Sequence, residues 1–82
     1  MSRDSAFEIV RSVLCREFEF ASADVQLAAS LVDDLDLDSV DGVALVVRLE
    51  EETGIVLRDE EVRSLQTVEN VVDLVAQQLG RP

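Results

Sequence analysis

Apolar and polar positions recur with a helical period in three stretches of the chain. From about residue 5 to residue 19, apolar side chains return at spacings of three and four, which predicts an amphipathic helix with a broad buried face. These side chains are Phe7, Val10, Leu14 and Phe18, with Ala6, Ile9 and Val13 widening the stripe. A second such stretch runs from Val40 to Thr53 and a third from Val68 to Leu79, and the segment DEEVRSL predicts one or two further helical turns.

Residues that favour helix ends stand at the borders of these stretches. Gly54 follows the second helix, where a left-handed residue would stop it. Candidates for the N-cap position precede the second and last helices: Asp38 or Ser39, and Thr67. The last helix is expected to end at Gly80 and Pro82.

Between the first two helices lies a long connection, residues 20–38, without sustained periodicity. Its apolar side chains are expected to hold it against the core; they are Val25, Leu27, Leu31 and Leu35. Connections of this length are uncommon in compact domains and are often functional. We therefore predict an all-α fold, a small four-helix bundle of three main helices and one short helix with a long loop between the first and second helices. No repeat or Pro/Gly linker divides the chain, so residues 1–82 are expected to form a single domain.

The charge balance narrows the possible partners. The 82 residues carry 18 acidic side chains against 7 basic ones, all of them arginine, for a formal net charge of −11. Nucleic acid and anionic membrane surfaces are disfavoured because both are anionic, whereas partners with basic surfaces are favoured. The longest apolar run, Val43 to Val47, is far too short to span a membrane, and the N-terminus MSRDSAFEIV has no signal-peptide pattern. A cytoplasmic protein is predicted.

The composition also argues against catalysis. Histidine is absent, so the chain cannot build a Ser–His or Cys–His nucleophile pair. Cys15 is the single cysteine, cannot form an internal disulfide and is interpreted as structural. We expect a protein that is not an enzyme.

The predicted second helix has two apolar faces. Val40, Val43, Ala44 and Val47 lie on one side of the helical wheel, and Leu45, Val46 and Leu49 lie on roughly the opposite side. Glu51 falls within the first stripe, which indicates that this stripe faces water and the second faces the core. An exposed apolar stripe rimmed by acids is typical of a docking surface; the alternative is that both stripes are buried.

Acidic side chains are concentrated around this helix. Eleven of the 18 lie between Asp33 and Glu61, and the run Glu50 to Glu52 occupies the last turn of the helix, where the dipole disfavours negative charge. Local stability therefore gives no reason for the run. Either it is a solvated acidic face, or it steers arginine- and lysine-rich partners.

The alternating aspartates of DLDLDS have the spacing of the first ligands in a calcium-binding loop. With Asp34 first, Ser39 stands where the loop needs glycine and Leu45 where it needs a bidentate glutamate, so no metal site is predicted. Ser39 is suited to be an N-cap. As an exposed hydroxyl between Asp38 and Asp41, it is also suited to be the substrate of another enzyme.

The stretch SLVDDLDLDSVDGVALVVRLEEETGIVL resembles acyl carrier proteins, with their Asp-Ser-Leu motif and following recognition helix. The resemblance extends over most of the chain and includes the Thr-Val start of the last helix, TVENVVDLV. The upstream Ser-Leu-x-x-Asp-Leu and downstream Leu-Glu-Glu-Glu-x-Gly-Ile, in order and correctly spaced, make it specific.

The resemblance implies that Ser39, flanked by Asp38, Val40 and Asp41, receives 4′-phosphopantetheine from coenzyme A through a phosphopantetheinyl transferase. The thiol of that group would carry acyl intermediates as thioesters to an acyltransferase or other acyl-loading enzyme and to a ketosynthase or other thioester-using enzyme with a basic docking surface. The implied docking residues are Val40, Asp41, Val43, Val47, Glu50 and Glu51. The implied acyl-chain cleft is lined by Leu49, Val62, Leu65 and Val71, each of which is equally well explained as core.

Several positions depart from the family pattern. Val40 replaces the usual leucine, Asp36 stands where glycine is common, and Gly42 should soften the helix start. Ala44 occupies a position where fatty-acid carriers usually have glutamate, and Arg48 places a positive charge on the flank.

Because the departures alter the partner surface and leave Asp-Ser intact, we favour a discrete, monomeric carrier for polyketide or other specialised biosynthesis. The alternatives are a fatty acid or aminoacyl carrier of the same superfamily and an interaction module that never carries cargo.

Overall fold

The computed structural model describes residues 3–80, in which four α-helices follow one another along the chain. They are α1 (Arg3–Phe18), α2 (Ser39–Thr53), α3 (Asp59–Arg63) and α4 (Val68–Leu79). The predicted all-α fold of three main helices and one short helix is confirmed for this part of the chain, which contains no β-strand. Gly80 is the C-cap of α4, as predicted, and Pro82 lies outside the described residues.

α1 ends at Phe18, one residue before the predicted boundary, because the next residue leaves the helical conformation. Glu19 has a φ of 60°, in the left-handed region where a glycine usually stops a helix. A side chain there costs roughly 1 kcal/mol relative to glycine. The apolar stripe also ends at Phe18, but the left-handed stop is a backbone conformation of Glu19, a residue whose type gives no signal of it.

The core lies where α1, α2 and α4 meet. α1 packs against both α2 and α4. The fully buried side chains are aliphatic, and within residues 3–80 no polar or charged residue is buried. The main contributors are Val10 and Leu14 from α1, Leu45 and Leu49 from α2, and Val68, Val71, Val72 and Val75 from α4. Phe7, Ile9 and Phe18, predicted on the buried face of α1, are half-buried at its edge.

The long loop is held to the start of α4 by backbone hydrogen bonds. The amide N–H groups of Val68 and Glu69 donate to the carbonyl oxygens of Ala29 and Leu27 at 3.0 and 2.9 Å. These are first-turn N–H groups, for which the helix itself offers no acceptor. The predicted anchoring is confirmed, since Val25, Leu31 and Leu35 are buried and Leu27 packs against the core. The loop is long because it must reach from the end of α1 to the start of α4.

Ion pairs on the surface join α1 to its two neighbours. The Arg3 guanidinium contacts the carboxylates of Glu69 and Asp73 on α4, and the same contacts raise the pKa of Arg3. Towards α2, Arg16 lies 2.8 Å from Glu52, and Arg48 lies 3.0 Å from Glu17. Such exposed pairs are worth about 0–1 kcal/mol each. They orient the helices more than they stabilise them.

Candidate functional site

The site is built at the first residue of α2. Asp38 is the N-cap: its Oδ1 accepts from the Asp41 backbone N–H at 2.8 Å, and the Asp41 Oδ2 accepts from the Asp38 N–H at 3.2 Å. This reciprocal capping box places the N-cap one residue before Ser39, so that Ser39 is the first residue of the helix. Of the two predicted N-cap candidates, the structure therefore selects Asp38, and the Ser39 side chain is left for another role.

Ser39 presents its hydroxyl to solvent. The residue is exposed, and among residues 3–80 none forms a hydrogen bond with its side chain. The chain contains no histidine or lysine, and within residues 3–80 no carboxylate forms a hydrogen bond with the Ser39 hydroxyl that could activate it as a nucleophile. The Ser39 hydroxyl is thus accessible from outside the protein.

The aspartates before Ser39 have separate structural roles. Asp34 Oδ2 accepts from the Ser30 backbone N–H at 2.6 Å and closes the turn that ends the long loop. Asp36 has a φ of 55°, in the left-handed region that aspartate tolerates better than most residues. Asp38 is the cap described above. Within residues 3–80, no group of three acidic, cysteine or histidine side chains is arranged to hold a metal ion.

An apolar groove of about 410 Å³ opens beside Ser39. Its aliphatic walls come from the end of the long loop, from α2 and from the segment around α3: Leu31, Val32, Leu37, Leu45, Val46, Leu49, Val62 and Leu65. Asp38, Ser39 and Gly42 complete the lining at one end. Three of the four predicted cleft residues, Leu49, Val62 and Leu65, line this groove. Val71 does not, because it is buried in the core with 1% of its surface exposed.

A second groove, of about 440 Å³, begins at the same serine and lies between the start of α2 and α3. It is lined by Ser39, Gly42, Val43, Asp59, Val62 and Arg63. Ser39, Gly42 and Val62 belong to both grooves. A methyl group added at Gly42 would meet no atom within 4 Å other than its chain neighbours and the nearby backbone of its own helix, so the absent side chain leaves open space where the two grooves meet.

α3, the wall of the second groove, is short but anchored at both ends. The Arg58 backbone N–H donates to Glu61 Oε1 at 3.1 Å, and this bond lowers the pKa of the Glu61 carboxyl, with the Arg58 guanidinium adding to the effect. The Ser64 hydroxyl donates to the Glu61 carbonyl oxygen at 2.7 Å. Gln78 of α4 also donates to the Glu61 carboxylate, which links α3 to α4 in addition to the packing of Val62 against the core.

The two faces of α2 are separated as the periodicity predicts. Leu45 and Leu49 are buried, and Val46 is half-buried in the wall of the apolar groove. On the other face, Val40, Val43 and Val47 have 74%, 60% and 43% of their surface exposed. The alternative that both stripes are buried is excluded. We call Val40, Val43, Ala44 and Val47 the exposed stripe.

Each of the three glutamates at the end of α2 has a partner in the folded protein, so the structure gives a reason for the run that the helix dipole does not. Glu50 Oε2 accepts from the Leu57 backbone N–H at 3.0 Å and fixes the segment after the helix. Glu51 and Glu52 pair with Arg48 and Arg16 at 3.1 and 2.8 Å. Gly54 stops the helix with a φ of 76°, as predicted. Of the predicted acidic docking residues, Asp41 and Glu50 therefore also hold the fold, whereas Glu51 is exposed and pairs with Arg48 of the same helix.

Comparison with known proteins identifies the family. The family model described as "Phosphopantetheine attachment site" matches residues 8–80. An acyl carrier protein of Petrotoga mobilis is 38% identical over 80 residues, covering 98% of this chain and 94% of that protein. Acyl carrier proteins of Tropheryma whipplei and Thermosynechococcus vestitus are 37% and 35% identical over 75 residues, covering 92% of this chain and 92% and 93% of those proteins.

The chain therefore belongs to the acyl carrier protein family, whose members carry a covalently attached 4′-phosphopantetheine and serve acyl-handling enzymes. The small helical fold is the one that the resemblance implied. None of the helices within residues 3–80 has the length and apolar character needed to cross a membrane.

Some residues around Ser39 were not predicted. Gly42, Leu45 and Val46 lie beside the predicted Leu49 in one wall of the apolar groove, and the spacing of three and four along α2 is a signal that could have placed them with it. Leu31, Val32 and Leu37 gave no such signal, because the loop that carries them has no period. Arg63 lies on a helix of five residues, too short for periodicity to assign a face.

Proposed function

We propose that this protein carries its phosphopantetheine on Ser39. The observation that supports the proposal is the position of the serine, at the first residue of α2, with a free hydroxyl where two grooves begin. A phosphopantetheinyl transferase would supply the base that removes the proton from the Ser39 hydroxyl. The residues fit the group, because a phosphate bonded to the Ser39 oxygen would lie at the surface and an arm leading from it could follow either groove.

When bound, the group supplies a thiol on which acyl chains are held as thioesters. The chain's own residues would shelter the apolar cargo. Leu49, Val62 and Leu65 offer aliphatic surface in a groove that starts at the attachment point. Burial of the cargo there is favoured by about 25 cal/mol per Å² of apolar surface removed from water. The same three residues lose solvent contact in the process.

Incubation with coenzyme A, magnesium and a promiscuous phosphopantetheinyl transferase, followed by intact-mass measurement, tests the attachment site. We expect a gain of one phosphopantetheine for the wild-type chain and for Ser12→Ala, a matched control at another exposed serine. Ser39→Ala should gain nothing while keeping the helical circular dichroism spectrum. A modified Ser39→Ala protein would refute the assignment. No gain on a folded wild-type protein would favour the interaction module.

We propose further that the exposed stripe and Glu51 dock the partner enzymes: the transferase, an acyl-loading enzyme and a ketosynthase or comparable thioester-using enzyme. An apolar stripe of this exposure, next to carboxylates that attract basic surfaces, has the composition of a transient protein interface. Val40, Val43 and Val47 would supply the contact area. Glu51 would orient the approach, helped by Asp41 and Glu50 where their bonds to the backbone allow.

The pathway that we propose is polyketide or other specialised biosynthesis. The partner surface supports this proposal. Ala44 is exposed at the position where fatty-acid carriers usually have glutamate, and Arg48 lies between Glu17 and Glu51. The middle of α2 therefore carries less negative charge than a glutamate at position 44 would give it. Malonyl-loaded protein offered to a polyketide and a fatty-acid ketosynthase should be extended faster by the first. Faster extension by the second would assign the protein to fatty acid synthesis.

A further inference from the structure

Arg63 stands apart from the other arginines of the described chain. Each of the others within residues 3–80 contacts a carboxylate within 4 Å; they are Arg3, Arg11, Arg16, Arg48 and Arg58. Arg63 has no such partner within the same residues, although the chain carries 18 acidic side chains. An exposed guanidinium without a carboxylate, in so acidic a protein, is available for an anion that comes from elsewhere.

The position of Arg63 limits which anion that is. The residue lines the second groove together with Ser39, and it is the basic residue in that lining. The rest of the lining is apolar or small apart from the Asp59 carboxylate, one helical turn before Arg63. A free anion would meet repulsion from Asp59, Asp38 and Asp41 as it approached. An anion bonded to the Ser39 oxygen is held at the groove by the bond itself, so its local concentration is set by the tether.

We infer that Arg63 binds the phosphodiester of the prosthetic group attached at Ser39 and thereby directs the arm along the second groove. The inference rests on the proposed attachment at Ser39. A guanidinium can donate two parallel N–H bonds to phosphate oxygens, which fixes direction as well as distance. The apolar groove then stays open for the acyl chain, because the charged and polar start of the arm is held on the other side of Gly42 and Val62.

The phosphorus resonance of the loaded protein reports this contact. In the wild type at low salt we expect the ³¹P resonance of the phosphodiester to differ from that in Arg63→Gln, and Arg63→Lys to restore part of the difference because it retains the positive charge. Arg16→Gln removes the same charge on α1, away from both grooves, and should leave the resonance unchanged. The difference should vanish at about 1 M salt, where the screening length is about 3 Å.

The arginine itself gives a second readout. Loading should shift the Arg63 Nε–Hε resonance, whereas inorganic phosphate added to the unloaded protein at the same concentration should not. Equal shifts from the two treatments would overturn the inference, because the tether would then play no part. Identical ³¹P resonances in loaded wild type and Arg63→Gln at low salt would also overturn it.

Intact-mass measurement distinguishes a failure of the proposed attachment at Ser39 from a failure of the proposed role of Arg63. A protein that gains no phosphopantetheine, or gains it at a residue other than Ser39, overturns both the attachment site and the role of Arg63. A protein loaded at Ser39 with an unresponsive ³¹P resonance overturns only the role of Arg63.

Discussion

Asp36 occupies a backbone conformation that favours glycine. Its φ of 55° lies in the left-handed region, two residues before the N-cap of α2. Most side chains cost roughly 1–2 kcal/mol there, and β-branched side chains are the least tolerated. By its resemblance to acyl carrier proteins, the chain has an aspartate here where glycine is common, and the dihedral angle gives a physical reason why glycine suits the position.

Substitutions at Asp36 are therefore expected to follow an unusual order of stability. Asp36→Gly should unfold at a urea concentration equal to or above that of the wild type, and Asp36→Val should lose about 1–2 kcal/mol of unfolding free energy. Asp33 is a matched control, because it is an exposed aspartate in the same loop with an ordinary negative φ. At Asp33 the glycine variant should have no advantage over valine. The same order at both positions would contradict the argument from the dihedral angle.

At the scale of the helices, α2 combines three tasks on different faces. Leu45 and Leu49 face the core, Gly42 and Val46 face the apolar groove, and the exposed stripe faces solvent. Val47 belongs to the exposed stripe and lines neither groove, so a change there tests docking without altering the space beside Ser39.

The polar variant Val47→Asn is expected to lower kcat/KM of the phosphopantetheinyl transferase by about tenfold, since a central apolar contact in an interface is worth more than about 1 kcal/mol. Val56→Asn is the control: Val56 is 73% exposed but lies in the extended segment between α2 and α3. It should leave kcat/KM unchanged. Equal losses in both variants, or none in either, would remove the exposed stripe from the docking surface. Circular dichroism checks that both variants are folded.

The elements that periodicity could predict are those with enough turns to define a face. The helical wheel separated the buried Leu45 and Leu49 from the exposed Val43 and Val47 because α2 has four turns. The caps were also predictable, because each depends on the local chemistry of one residue. The Thr67 hydroxyl can accept a hydrogen bond from the first turn of α4, and Gly54 can adopt the left-handed conformation that ends α2. The Thr67 Oγ1 accepts from the Asn70 N–H at 3.2 Å, and Asn70 Oδ1 accepts from the Thr67 N–H at 3.0 Å.

The other features of the fold and the site depend on backbone contacts and conformations that the residue types do not predict. The loop reaches α4 through the carbonyl oxygens of Ala29 and Leu27, and every residue has a carbonyl. The stop of α1 at Glu19 is a backbone conformation of a residue that normally continues a helix. The second groove exists only because α3 lies beside the start of α2. Sequence reasoning could thus propose the attachment serine and the exposed stripe, but it could not place Arg63 beside that serine.

At the scale of the whole molecule, the excess of acidic side chains opposes the compact state. The net charge of −11 is held within a radius of gyration of 11.4 Å. At 0.01 M salt the screening length is about 30 Å, so each carboxylate is repelled by all the others. An unfolded chain of this length has a radius of gyration of about 28 Å and relieves much of that repulsion. The exposed ion pairs act in the opposite sense, but each is worth about 0–1 kcal/mol.

Salt is therefore expected to stabilise the fold. Between 0.01 and 0.5 M sodium chloride, the urea midpoint should rise, because screening removes the repulsion among eleven excess charges and weakens only a few exposed pairs. The double variant Asp33→Asn, Glu60→Gln removes two exposed charges; Asp33 has no ion pair within residues 3–80, and the Glu60 contact with Arg58 is long, at 3.9 Å. At low salt this variant should have a higher urea midpoint than the wild type, and its midpoint should rise less when salt is added. A urea midpoint that falls with salt would mean that the ion pairs joining α1 to α2 and α4 stabilise the fold by more than the repulsion destabilises it. The acidic side chains would then serve mainly to hold the helices together, and less to attract basic partners.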